Sequence, residues 1–127
     1  MSKPELTLSG HTDDVMCLAS ADDGHVLTGS GDDTVKVWRG DELVRTIEAH
    51  TNQVCAVAVL PGGARFVSGS CNTENTAKLF TFGGELERTF EVGSTVLCVA
   101  ALPDGVHFVV GLGYALCASW RERDYLM

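Results

Sequence analysis

A unit of about forty residues recurs along this chain, and that recurrence constrains the fold more than any other feature. Residues 8–19 read LSGHTDDVMCLA, residues 47–58 read IEAHTNQVCAVA, and residues 90–100 read FEVGSTVLCVA, one residue shorter. Three turn segments follow, ADDGHVLTGS, LPGGARFVSGS and LPDGVHFVVGLG. Three strand ends come next: DTVKVW to Trp38, NTAKLF to Phe80 and YALCASW to Trp120. Trp38 and Phe80 stand 42 residues apart, Phe80 and Trp120 40. The pieces RGDELVRTI and TFGGELERTF connect one unit to the next.

Each unit holds four short apolar runs bounded by Gly, Asp, Pro or Asn. In the first unit these are residues 15–19, 26–28, 35–38 and 43–47. They are too short for helices and rich in Val and other β-formers, so they predict strands. Asp23-Gly24, Gly62-Gly63 and Asp104-Gly105 predict hairpin turns, where a residue must take positive φ. Gly40-Asp41 and Gly83-Gly84 do the same at the next connection. Four strands per forty-residue unit predict an all-β chain of propeller blades, each a sheet of four antiparallel strands. Residues 1–127 then form a single unit of three blades.

Gly10-His11, Asp32 and the closing Trp38 carry a resemblance to the WD-repeat family. It covers nearly the whole chain. The first repeat matches well. The second keeps His50, Ser68-Gly69-Ser70 and Phe80 but replaces GDD by the longer CNTEN. In the third, Gly93 or Ser94 stands where His is expected, Tyr114 takes the Asp position, and only Trp120 remains. The usual Asp after the Trp is missing throughout, with Arg39, Thr81 and Arg121 in its place.

The resemblance implies that His11, Thr28, Asp32 and Trp38 form a structural tetrad, with Asp accepting from His, His meeting the hydroxyl, and the hydroxyl meeting the indole N–H. His50, Ser68 and Phe80 form a weaker second set, with Glu74 or Asn75 as its acceptor. Half-buried polar groups need such partners. A catalytic reading of His, hydroxyl and Asp is the alternative, and no convergent set of acids, bases and nucleophiles beyond these accompanies it. A phosphate loop fails in TGSGDDT. Two aspartates repel phosphate, and no Gly-Lys-Ser/Thr follows. Asp32-Asp33 lacks the ligand spacing of a calcium loop. No metal, cofactor or catalytic residue is therefore expected.

The net charge of −8 disfavours nucleic acid and acidic membrane surfaces as ligands. No apolar run reaches the roughly 18–20 residues a spanning helix needs. The first ten residues, MSKPELTLSG, lack the apolar core of a secretory signal, and Met1 reads as a native start. Four of the five cysteines, Cys17, Cys55, Cys98 and Cys117, sit among apolar residues and read as buried thiols of a reducing compartment rather than disulfide partners. Cys71, in the polar segment SCNTEN, is expected at the surface. The cytoplasm is the expected location, with the nucleus left open.

Three blades fall short of the four to eight that close a propeller. The repeat phase starts with an outer-strand piece, LTLSGH, and ends on inner strands. Leu6, Thr7 and Leu8 of one copy then clasp the last blade of another, head to tail. Two copies make a six-bladed homodimer, preferred over a nine-bladed homotrimer; a fragment of a longer protein is the alternative. Loops at one end of the blades, with Asp13, Asp14, Asp33, Asn52 and Glu74, are expected to dock a protein or peptide partner of basic character. The expected function is a non-enzymatic interaction scaffold; an enzyme with a channel site is the competing class.

Overall fold

The computed structural model describes residues 6–62, 64–71, 74–105, 107–112 and 120–121. The strands are β1 (Val15–Ser20), β2 (His25–Ser30), β3 (Thr34–Arg39), β4 (Glu42–Glu48), β5 (Val54–Val59), β6 (Arg65–Ser70), β7 (Thr76–Thr81), β8 (Leu86–Glu91), β9 (Val96–Ala101), β10 (His107–Leu112) and β11 (Trp120–Arg121). They form two four-stranded sheets, β1-β2-β3-β4 and β5-β6-β7-β8, and a third, β11-β10-β9. Every pairing is antiparallel. The four strands expected in the first unit are all present. Tyr114 and Cys117 lie outside the described residues. No helix among the described residues is long and apolar enough to cross a membrane.

Turn chemistry sets these meanders. Gly24, Gly62 and Gly105 have φ of 95°, 81° and 71°, conformations that a Cβ disfavours. The turn between β2 and β3 uses Asp33 at φ 75°, and that between β6 and β7 uses Asn75 at φ 58°. Asp and Asn are the side-chain-bearing residues that best tolerate the left-handed region. The two turns do one further job. His50 N–H donates to Asp33 O at 3.2 Å, and Val92 N–H donates to Asn75 O at 3.1 Å. Each turn thereby ties the start of the next repeat to the previous sheet.

The core lies between sheets. One cluster joins Leu27, Val35, Val37 and Ile47 of the first sheet to Val54, Val57, Phe66 and Phe80 of the second. Another joins Val67, Leu79 and Phe90 of the second to Val96, Phe108 and Val110 of the third. Phe66 stacks on Phe80, and Phe90 meets Phe108 edge-on. Each such side chain contributes roughly 1.5–3 kcal/mol when fully buried. Inner strand therefore follows inner strand, β1 beside β5 and β5 beside β9.

Among the described residues, the inner strand of the first sheet has no neighbour on its other side. Val15, Met16 and Leu18 are 55, 44 and 70% exposed, whereas the corresponding Val54 and Val57 of β5 are 0 and 7% exposed.

Three expectations need correction. Cys55 and Cys71 form a disulfide with Cα atoms 5.9 Å apart, so the reading of Cys55 as a buried thiol fails. Cys71 is buried, and Cys98 is exposed. The polar segment around Cys71 folds back on Gln53, since Cys71 N–H donates to Gln53 O. The cysteine argument for a reducing compartment goes with this pair. Leu6, Thr7 and Leu8, expected to clasp the last blade of another copy, form no strand within this chain, and Leu6 is 52% exposed.

Candidate functional site

β2 and β3 bring four of the singled-out side chains together. Trp38, on β3, is paired with Val26 of β2, two residues from Thr28. This register lets the indole N–H of Trp38 donate to Thr28 Oγ1 at 2.9 Å. Thr28 Oγ1 lies 2.7 Å from His11 Nε2, and His11 Nδ1 lies 2.9 Å from Asp32 Oδ2. One proton arrangement satisfies all four groups: the indole donates to the hydroxyl, the hydroxyl to Nε2, and Nδ1–H to the carboxylate. Gly10 makes the approach feasible, since a Cβ there would stand 3.3 Å from Trp38 Cη2.

Asp32 accepts more than the histidine. Thr34 donates through its hydroxyl at 2.6 Å and its amide at 3.0 Å, both to Oδ1, and Thr12 N–H donates to Oδ2 at 3.0 Å. Burial opposes ionisation of Asp32, but the bonds from Thr34, His11 and Thr12 outweigh it and hold the carboxyl well below the usual range.

The second sheet builds a related network with an altered acceptor. His50 Nε2 lies 2.8 Å from Ser68 Oγ, and Nδ1 lies 3.1 Å from Glu74 Oε2. Glu74 is the acceptor, not Asn75, which instead occupies the positive-φ position equivalent to Asp33. The loop is longer here, and the extra methylene of Glu reaches the same place. Glu74 also takes bonds from Thr51 N–H at 2.9 Å and Thr76 Oγ1 at 3.0 Å, and Lys78 Nζ at 3.0 Å. Burial again opposes ionisation, yet Lys78, Thr51 and His50 lower the Glu74 carboxyl to about 2. Burial pushes His50 below the ordinary imidazole value against the pull of Glu74. Phe80 has no donor for Ser68 and packs on Phe66 instead.

Thr34 and Thr76 were missed by the sequence reading. Their signal is the acid-x-Thr spacing shared by 32–34 and 74–76. Lys78 was missed too, since its role depends on the loop insertion.

The remaining acidic candidates have a different status. Asp13 and Asp14 are exposed, and Asp13 Oδ1 accepts Asp14 N–H at 2.7 Å. The Asp33 carboxylate is half-exposed and makes no hydrogen bond among the described residues. Asn52 Oδ1 accepts Gln53 N–H at 2.8 Å, capping the entry to β5. Glu74 is taken up inside its network and differs from the other three acids.

Thr28 Oγ1 accepts the indole N–H of Trp38, whereas Ser68 has no such donor and lies, like His50, buried in the second sheet. A cleft of about 340 Å³ lies at the opposite end of the strands, lined by Ala21, Asp22, Leu60, Pro61 and Phe82 among others. Among the described residues, no group of three His, Cys, Asp or Glu side chains is placed to hold a metal ion.

The sequence resembles known proteins. The family model described as "WD domain, G-beta repeat" matches residues 2–39 and 41–81. Over 59 residues the chain is 46% identical to phospholipase A-2-activating protein of Xenopus laevis, covering 46% of this chain and 7% of that protein. Over 124 residues it is 30% identical to an uncharacterised WD repeat-containing protein of Schizosaccharomyces pombe, covering 96% of this chain and 21% of that one. The chain thus spans about a fifth or less of the length of these curated relatives.

Proposed function

The chain belongs to the WD-repeat family, and on that premise we propose that it is a non-enzymatic scaffold for protein–protein interaction. The observation that carries this reading is a division of labour among its acids. Asp32 and Glu74 are held inside the two networks, where they serve the blades. Asp13, Asp14 and Asp33 stand at the same end of the sheets with carboxylates that face solvent at least in part. They form an acidic rim whose carboxylates accept, among the described residues, one internal hydrogen bond, from Asp14 N–H to Asp13 Oδ1. A basic segment of a partner protein is the complementary ligand, and such charge pairing speeds encounter more than it deepens affinity.

The tetrad His11, Thr28, Asp32 and Trp38 is read as structural, as is the shorter set His50, Ser68 and Glu74. The scaffold is read as a three-blade unit over residues 1–127 that closes by association with a second copy into a six-bladed ring. The exposed flank of β1 supports this closure. A second reading, a partial array within a longer protein, is supported by the small share of each relative that the chain spans.

The test is binding of a fluorescent oligo-lysine peptide, followed by anisotropy at low and high salt. Salt-sensitive binding that is lost in the D13N/D14N/D33N variant supports the rim. Unchanged binding by that variant overturns it.

A further inference from the structure

The sheets meet through one repeated contact. Gly29 of β2 lies under Val54, the first residue of the next sheet: a Cβ on Gly29 would stand 2.6 Å from Val54 Cγ1. Gly69 of β6 lies under Val96 in the same way, with Val96 Cβ 2.9 Å from the Cβ site. Any side chain at either glycine would drive the sheets apart. The glycine is a hole, and the first valine of the following inner strand fills it. Val54 and Val96 are both completely buried as a result.

The series runs on at both flanks. Gly111 of β10 is the third hole in register, paired with Cys98 of β9 as Gly29 is paired with Cys17 of β1. Among the described residues, a Cβ on Gly111 would meet only Cys98, and no valine from a following sheet. Cys98 is exposed, whereas Cys17 is half-buried. At the other flank, Val15 is the first residue of an inner strand, equivalent to Val54 and Val96, and is 55% exposed. Met16 and Leu18 continue the uncovered apolar strip beside it. Among the described residues, one flank holds a seat with no valine in it and the other the side chain that fills such seats elsewhere in the molecule.

We infer that two copies of this chain join head to tail with Val15 of one copy seated on Gly111 of the other. This inference rests on the self-association reading above and assigns its contact. The two internal junctions supply the geometry, and the contact is heterologous, so it closes only when the rotations complete a ring. In the first junction, Cys17 Sγ and Val54 Cγ1 both stand 2.6 Å from the Cβ site on Gly29. In the intermolecular junction, Cys98 therefore lies beside residue 15 of the second copy. A cysteine placed at position 15 falls within disulfide reach of it.

The experiment uses the 127-residue chain. Light scattering of the wild type is expected to give twice the 13.5 kDa chain mass. V15D is expected to halve that mass while keeping the β-sheet circular dichroism. V15C under mild oxidation is expected to give a covalent species between chains that vanishes in V15C/C98S and on reduction. A wild type of 13.5 kDa overturns both the seat and the self-association reading. A doubled mass with V15D still double, or with no Cys98-dependent cross-link in V15C, overturns the seat alone.

Discussion

Trp38 and Thr28 share a hydrogen bond of 2.9 Å, indole nitrogen to hydroxyl, across the β2–β3 pair. In the second sheet the same register pairs Phe66 with Phe80, and Ser68 has no indole to accept from. One sheet closes its polar network on the aromatic residue, and the other closes an apolar stack on it.

Thr28→Val removes the central link of the first network. It leaves the Trp38 N–H and His11 Nε2 without their partner at nearly constant volume. The expected loss is about 1–3 kcal/mol in urea unfolding. Trp38→Phe mimics the second sheet and removes one bond together with some packing, so it too is expected to destabilise. A T28V chain as stable as wild type would remove the network from any account of stability.

Asp32 and Asp33 are adjacent and should respond differently. Asp32→Ala orphans donors from His11, Thr12 and Thr34 and is expected to cost about 1–3 kcal/mol. Asp33→Asn or Asp33→Gly keeps a residue that accepts φ of 75°, so melting temperature should change little. Asp33→Ala places a Cβ-bearing residue without such tolerance there and should cost roughly 1 kcal/mol. Thermal melts of the four variants check the order.

Stability should fall on acidification in two stages. The folded state lowers the affinity of His50 for a proton, so the unfolded chain takes up more protons as pH falls through 6.5, and stability declines from there. Glu74 has its carboxyl lowered from 4.5 to about 2, so its contribution is present above 4.5 and is lost as pH falls towards 2. Asp32, also depressed, adds to this lower stage. Urea midpoints from pH 8 to pH 3 test the shape. Glu74→Gln should flatten the lower stage and cost about 1–3 kcal/mol at pH 7, since Lys78 loses its ionic partner and keeps its bond to Ala49 O.

Gly69→Ala should be costly, because its Cβ meets Val96 inside the junction of the second and third sheets. About 1–3 kcal/mol is expected for such overpacking. Val96→Ala in the same chain should recover part of the loss, which a double-mutant cycle measures. Simple additivity of the two changes would remove the seat from the explanation.

Much of this was readable before any coordinates. The forty-residue period, the alternating apolar runs and the turn glycines are local signals, and each reports on the few residues around it. They determined four-stranded antiparallel units and marked His11, Thr28, Asp32 and Trp38 through their recurrence. Other features depend on distances between segments far apart in the chain. Which acid reaches His50 was open between Glu74 and Asn75, and the course of the lengthened loop decided it. The Cys55–Cys71 bond is not legible in the sequence, because a polar neighbourhood there says nothing of a loop folding back on the earlier strand β5. What Gly29, Gly69 and Gly111 face is set by the stacking of the sheets and not by their neighbours in sequence. The sequence by itself determined what each blade is made of. Tertiary structure decided what each blade leaves open, because holes and exposed flanks exist only between sheets that have already packed.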